Sequence, residues 1–423
     1  MAHGLSAHPA RPIDQHLREV LGMATPQVTR GIPVDQALGS VLATEANARR
    51  AVPPFSNSAM DGFVVRASDL PGTGPWELPV HVDIPAGAVP EIFPAGSAAR
   101  IMTGAPVPDI DGLIVIPVEN TNIARGPVPL PSTVTITHAD YSRTNIRLAG
   151  SNVEVGDIVV KPGTRIDAGA LAALISLGIE EVDVYAPPTV AVISTGEELA
   201  ESAAQARRYQ IPDSNRPMLA ALARANGAAH VHEFHVGDDN AEFLRVLDHA
   251  SDVADIVITS GGVSVGAFDV VRAVTGASET MWFGPVAQRP GEPQGMGTWN
   301  DAALVCLPGN PVAAFNSFHL YIAPLLRATA GLPTASSIFD RPRVTARIGA
   351  DFPKPKKAVT LVVPVRLDFS GDEIIATAFS TSGAGSHLVG SLSATDGLAI
   401  VENEHTDSAP TQHDHVTVLL TQT

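Results

Sequence analysis

Apolar residues recur at helical spacing at Ile13, Leu17, Val20 and Leu21, and again at Val34, Leu38, Val41 and Leu42. This spacing predicts two amphipathic helices joined by a turn around Pro26 and Pro33. From about residue 53 to 147 the pattern changes to short alternating or apolar runs at 62–65, 78–84, 99–102, 113–118 and 133–137, separated by Gly and Pro. These predict a small β domain. A helical stretch at 168–177 leads into a strand at 181–185.

Residues 188–332 alternate more regularly. Apolar strands at 189–194, 231–236, 256–259 and 304–307 are interleaved with helical patterns at 218–225, 241–249 and 312–327. Such alternation predicts a doubly wound α/β sheet, whose ligands sit outside the carboxyl ends of the strands. Beyond residue 342, strand patterns at 344–348, 359–367, 373–378, 398–401 and 416–420 predict a small closed barrel or a sandwich. The fold class is therefore α/β multidomain, with a central doubly wound α/β domain, a small β domain, a discontinuous helical/β linker domain and a C-terminal β-barrel.

Composition narrows the function. The 423 residues exceed what one core usually supports. With Lys plus Arg at 27 and Asp plus Glu at 44, the net charge of −17 argues against a nucleic-acid partner, because a duplex binder needs a basic surface. An acidic chain can still hold anions at local sites built from backbone N–H groups. The single cysteine, Cys306, excludes an intrachain disulfide framework and a cysteine-rich metal cluster, and its apolar surroundings predict a buried inert thiol. No apolar segment suited to secretion or membrane insertion occurs, so the expected location is the cytoplasm.

Three strand ends in the α/β region carry Gly-rich turns: Ser194-Thr195-Gly196-Glu197-Glu198, Ser260-Gly261-Gly262-Val263-Ser264-Val265-Gly266, and Leu307-Pro308-Gly309-Asn310-Pro311. Glycine lets N–H groups approach a ligand closely, and a helix N-terminus favours phosphate. One such turn is ordinary geometry; three at one sheet edge favour an anionic ligand. None is a Walker A loop. Glu198, Asp238, Asp239 and Asp269 stand beside these turns, and magnesium prefers one or two carboxylates plus phosphate oxygens. Helix capping is the alternative for any one of them, and Asp213 is expected to be a cap. The β region adds a turn presenting Asp61 and another presenting Thr103. His230 and His232 share one face of a strand, with His235 nearby; exposed or hydrogen-bonded rings are expected there rather than a metal site.

Taken in order, residues 53–63, Ile101-Met102-Thr103-Gly104-Ala105-Pro106 with Glu119, the Ser194–Leu199 turn, Gly261–Gly266 with Asp269, and Leu307–Pro311 resemble the MoeA proteins. These are the molybdopterin molybdenumtransferases, a family that includes gephyrin's E domain. The motifs span about residues 13 to 420. The resemblance implies a discontinuous domain I (12–50 and 146–187, dimerisation), a β domain II (51–145), an α/β molybdopterin-binding domain III (188–332) and a β-barrel domain IV (338–423). It implies a homodimer whose active site joins domain III of one subunit to domain II of the other. Molybdopterin adenylyltransferase and molybdoenzymes are the further partners it suggests, with no nucleic acid and no membrane.

The implied reaction inserts molybdate into adenylylated molybdopterin and releases AMP, with magnesium (Mg2+). Asp61, Thr103, Glu198 and Asp269 are the implied catalytic residues, and Asp61, Glu198, Asp239 and Asp269 the implied metal ligands. Gly196, Gly261, Gly262, Ser264, Arg289, Gly309, Asn310, Pro311 and Ser386 would hold the substrate. The chain departs from the family pattern at Asn152, where a carboxylate is usual, and at Glu292, where the Arg289-Pro290-Gly291-Glu292-Pro293 turn usually carries a second cation. Ala313 replaces a frequent serine, and Lys354, Lys356 or Lys357 stands in for a domain IV arginine. These departures leave open a catalytically weakened paralogue acting as a molybdopterin-binding or scaffolding module.

Overall fold

The apolar runs after residue 188 lie side by side in a six-stranded sheet. In the computed structural model the order is His230–Val236, Thr189–Thr195, Ile256–Ser260, Ala302–Leu307, Pro293–Trp299, Met281–Pro285. The first four strands run parallel, and Pro293–Trp299 is antiparallel to both its neighbours. The structure describes residues 9–263, 269–349, 352, 359–379, 389–402 and 414–421.

Both faces of this sheet are covered, which is why its central strands read as unbroken apolar runs. Val190 and Val192 pack with Leu219, Ala223 and Phe318 on one side. Ala191 and Ile193, one residue out of phase, pack with Phe243, Leu247 and Val271 on the other. Cys306 lies in this second core, and burial pushes its thiol up to about 12, so it is inert as expected. The connections carry the helices Asn215–Ala225, Asn240–Val253, Val270–Thr275 and Pro311–Ser317. The last continues through a π-helical turn, Phe318–Ile322, into Ala323–Thr329, where the sequence predicts one uninterrupted helix.

The chain divides into two compact units, Met1–Thr29 with Tyr185–Thr423, and Arg30–Val184. The first predicted helix forms as Ile13–Leu21 and buries Ile13, Leu17 and Val20 against Val190, Leu325 and Leu326. It packs in the α/β core, whereas residues 34–48 pack with residues 160–184. The second predicted helix does not form. Val34–Gln36 makes one 3-10 turn, Gly39 takes φ +84°, and Val41–Leu42 is a strand. Glycine in the left-handed region ends a helix, and Leu38, left 60% exposed, faces no core.

Within Arg30–Val184, a five-stranded sheet runs Leu113–Pro117, Gly62–Arg66, Ala98–Ile101, Trp76–Ile84, Thr133–Ile136. A Cβ on Gly62 would run into the Ile116 carbonyl, so the close strand approach after Asp61 requires glycine. In the other unit, five strands between residues 343 and 420 close into a barrel. Its strands run Thr360–Asp368, Ile375–Ala378, Arg343–Ile348, His415–Leu420 and Gly397–Val401, and the last pairs back with the first. Val363, Val365, Ala376 and Val418 fill its core. Gln288–Arg289 adds beside Thr360–Leu361.

Candidate functional site

The carboxyl ends of the central strands are aligned by register: Ser194 lies opposite Ser260, and Ser260 opposite Leu307. The turns that follow them enclose a cavity of about 530 Å³ that Gly196, Gly261, Gly262, Gly309, Asn310 and Pro311 all line. Glycine is needed here for two reasons. Gly196 and Gly261 have φ of +137° and +98°. Space is also short: a Cβ on Gly261 would sit 3.0 Å from the Thr195 carbonyl, and one on Gly309 would sit 3.4 Å from the Gly261 Cα.

Glu198, Asp213, Asp238 and Asp269 are on the cavity wall. The Glu198 carboxylate folds over Gly196, where a Cβ would collide with it. Asp239 is used otherwise: its Oδ1 accepts the Glu242 N–H at 2.7 Å and caps the helix Asn240–Val253. The cavity-lining residue of this pair is therefore Asp238, not the Asp239 expected from sequence. Asp213 caps as expected, accepting the Arg216 N–H at 3.1 Å, but it does more. Its Oδ2 accepts the Ser194 hydroxyl at 2.6 Å. Ser194 is also 3.1 Å from His235 Nδ1; because its proton goes to Asp213, His235 must donate to it. His230 and His232 are exposed. Among the described residues, no group of three or more His, Cys, Asp or Glu side chains is arranged to hold a metal ion.

Sequence reasoning missed Asn215. Its Nδ2 donates to the Ser260 hydroxyl at 2.8 Å and to the Gly309 carbonyl at 2.7 Å, joining two of the three turns. The only signal was a polar residue next to Asp213-Ser214, ahead of a helical pattern.

Arg289 is exposed on its short strand and is not on the cavity wall, whereas Pro293, at the end of the same turn, is. Glu292 and Asn152 are exposed, and Ala313 is buried in its helix. Ser264, Ser386, Lys354, Lys356 and Lys357 lie outside the described residues.

In the Arg30–Val184 unit, Asp61 and Thr103 come together. Asp61 Oδ1 accepts the Thr103 N–H at 2.7 Å. Both line a cleft of about 530 Å³ whose wall includes Glu119 ion-paired to Arg125. Arg100 is not free to bind a ligand there, since it is engaged by Asp83 and by the Val128 carbonyl.

Gly-rich turns and carboxylates around a cavity at the carboxyl edge of a parallel sheet define an α/β protein with its cavity where such sheets hold their ligands. Comparison with known proteins gives the family. Residues 11–178 match the MoeA N-terminal region (domain I and II), and residues 191–328 a probable molybdopterin binding domain. Molybdopterin molybdenumtransferase 2 of Mycobacterium tuberculosis is 39% identical over 356 residues, covering 82% of this chain and 85% of its own length. A molybdopterin molybdenumtransferase of Staphylococcus epidermidis is 34% identical over 360 residues, covering 84% and 83%. The crystal structure of a molybdopterin biosynthesis MoeA protein from Pyrococcus horikoshii is similar with TM-score 0.77 and 26% identity, over 98% of this chain and all of that one. The chain belongs to the molybdopterin molybdenumtransferase (MoeA) family, a transferase family of molybdenum cofactor biosynthesis.

Proposed function

We propose that this chain inserts molybdate into adenylylated molybdopterin and releases AMP. The observation that carries this reading is the cavity formed by three Gly-rich turns with four carboxylates on its wall. Phosphoanhydride cleavage needs positioning and charge neutralisation more than a side-chain nucleophile. Phosphate oxygens would take backbone N–H groups of these turns other than those of Gly196 and Gly261, which already donate to the Val236 and Leu307 carbonyls. The pterin dithiolene supplies the sulfur for molybdenum, consistent with a chain whose one thiol is buried.

Magnesium fits the donor set on chemistry. It takes one or two carboxylates with phosphate oxygens and water, so Glu198, Asp238 and Asp269 suffice without a preformed three-ligand cage. When bound, it would neutralise charge on the phosphates.

The protein acts as a homodimer in this reading, with the Asp61–Thr103 cleft of one copy serving substrate held by the other. Leu38, Ile158 and Ile175 are each more than half exposed, apolar positions that a contact between copies would cover. Mixing an Asp61→Asn copy with an Asp269→Asn copy should then restore part of the activity that each lacks alone. No helix among the described residues is long and apolar enough to cross a membrane; the cytoplasm is the proposed site of action. A molybdopterin adenylyltransferase would supply the substrate, and molybdoenzymes would receive the product.

The direct test supplies purified protein with adenylylated molybdopterin, magnesium and molybdate. AMP release well above a no-protein control is the expected result. Release no faster than that control would leave the weakened, scaffolding paralogue.

A further inference from the structure

The Arg289-Pro290-Gly291-Glu292-Pro293 turn reaches the cavity wall at Pro293, and a buried polar network holds it from below. Gln288 Nε2 donates to the Pro290 carbonyl at 3.1 Å and to Ser317 Oγ at 3.2 Å. Gln294 Nε2 donates to the Gly291 carbonyl at 2.9 Å and to the same Ser317 Oγ at 2.7 Å. The Tyr321 hydroxyl donates to Gln288 Oε1 at 2.5 Å. All four side chains are 0% exposed. Burial pushes the Tyr321 phenol well above its usual range, so it remains a donor.

Two consecutive carbonyls of the turn are therefore gripped by two amides that share one hydroxyl. A third, that of Glu292, accepts the Val286 N–H at 2.7 Å. The grip is close: a Cβ on Gly291 would lie 2.6 Å from Gln288 Nε2. The turn's side chains Arg289 and Glu292 remain exposed while its backbone is fixed.

The position of Ser317 gives the network its meaning. It ends the helix Pro311–Ser317, whose first residue, Pro311, and whose cap, Asn310, line the cavity. Tyr321 follows in the π-helical turn, a local widening often found at functional sites. One short helical segment thus carries a cavity wall at its start and the anchor of the Arg289–Pro293 turn at its end.

We infer that Ser317 is a positioning residue for the oxyanion substrate, fixing the Arg289–Pro293 turn relative to the Asn310–Pro311 wall. This rests on the proposed molybdenum transfer and on that turn facing molybdate. Ser317→Ala removes the acceptor shared by both amides while each keeps its bond to the turn. The turn then loosens without losing its path.

The test measures turnover against molybdate at saturating adenylylated molybdopterin, and against the pterin at saturating molybdate. Ser317→Ala should raise the molybdate concentration for half-maximal turnover about tenfold, the effect of one net hydrogen bond. The half-saturating pterin concentration and the maximal rate should stay within about twofold, well under that one-bond effect. Ser317→Cys, which keeps a weak acceptor of similar size, should recover part of the loss. If Ser317→Ala does not fold, Gln294→Met, which releases only the Gly291 carbonyl and the Ser317 contact, carries the same expectation. Arg289→Ala separates the two levels. If it raises the molybdate requirement and the Ser317 and Gln294 variants do not, the positioning role is overturned while molybdate binding at the turn stands. If Arg289→Ala changes nothing, the turn does not face molybdate and the inference falls with it. Equal losses for both substrates would mark Ser317 as merely structural and also overturn it.

Discussion

The Asp61 carboxylate accepts the Thr103 backbone N–H at 2.7 Å, joining two turns that lie 42 residues apart in the chain. Asp61 therefore orders the Thr103 turn and still presents a second oxygen to the cleft. The two roles are separable. Asp61→Asn keeps an acceptor for Thr103 but removes the charge, whereas Asp61→Ala removes both. Both variants should lose at least about tenfold in molybdenum transfer if the charge acts on metal or substrate. Folding stability should fall by only about 1 kcal/mol in the alanine variant, because the bond is exposed. Full activity in Asp61→Asn would reduce the residue to a turn anchor.

A second prediction concerns Asn215, whose amide joins the Ser260 hydroxyl to the Gly309 carbonyl. Asn215→Ala leaves both without this buried donor, which should cost about 1–3 kcal/mol in urea unfolding. Because both turns line the cavity, affinity for adenylylated molybdopterin should fall with it. A variant within about 0.5 kcal/mol of the parent, with unchanged affinity, would show that the turns hold themselves.

The α/β sheet was legible in the sequence because its central strands are buried on both faces and read as apolar runs ended by glycine. The hairpin Met281–Pro285 and Pro293–Trp299 was not. Gly284, Gly295 and Gly297 interrupt its pattern, and the structure explains them. A Cβ on Gly295 would collide with the Phe283 ring, and one on Gly297 with the Thr280 carbonyl, so cross-strand packing, not turning, demands glycine there. Asp61, Thr103, Glu198 and Asp269 were legible as motifs. The choice between Asp238 and Asp239 was not, because it depends on which carboxylate the following helix takes as its cap. Asn215 and Ser317 were invisible for a related reason: their partners come from distant parts of the chain, and nothing local marks them. The spacing at 34, 38, 41 and 42 suggested a helix because apolar periodicity does not register Gly39 at φ +84°.

Acid should weaken the fold through two buried histidines. His16 is 0% exposed, its ring packed against Tyr321 and Trp282. Burial, and secondarily the Arg11 charge, lower its pKa to about 3. Burial, and then Arg341, lower His319 to about 4. The unfolded chain takes up protons near pH 6.5 that the folded chain refuses until its own lower pKa. Stability is thus complete above about pH 6.5 and falls as pH drops toward the folded values, by about 1.4 kcal/mol per pH unit for each histidine. Urea unfolding between pH 7 and 5 should show this slope, and His16→Phe should flatten it. An equal slope in the variant would assign the acid sensitivity elsewhere.

Glu292 places a negative side chain on an exposed turn where the family resemblance expects a cation. If it disfavours an oxyanion, Glu292→Lys should lower the molybdate concentration needed for half-maximal turnover. The unfolding midpoint should not move, since the Glu292 side chain is exposed and its backbone carbonyl bond to Val286 is retained. An unchanged or raised molybdate requirement counts against that electrostatic account.

The most direct measurement follows AMP release and molybdenum incorporation into the pterin together, in one reaction with the unmodified protein, magnesium and adenylylated molybdopterin. The expected result is one AMP released for each molybdenum bound by the dithiolene, with both lost in Asp269→Asn. Molybdenum incorporation without AMP release, or neither above a no-protein control, would contradict molybdenum transfer as the work of this cavity.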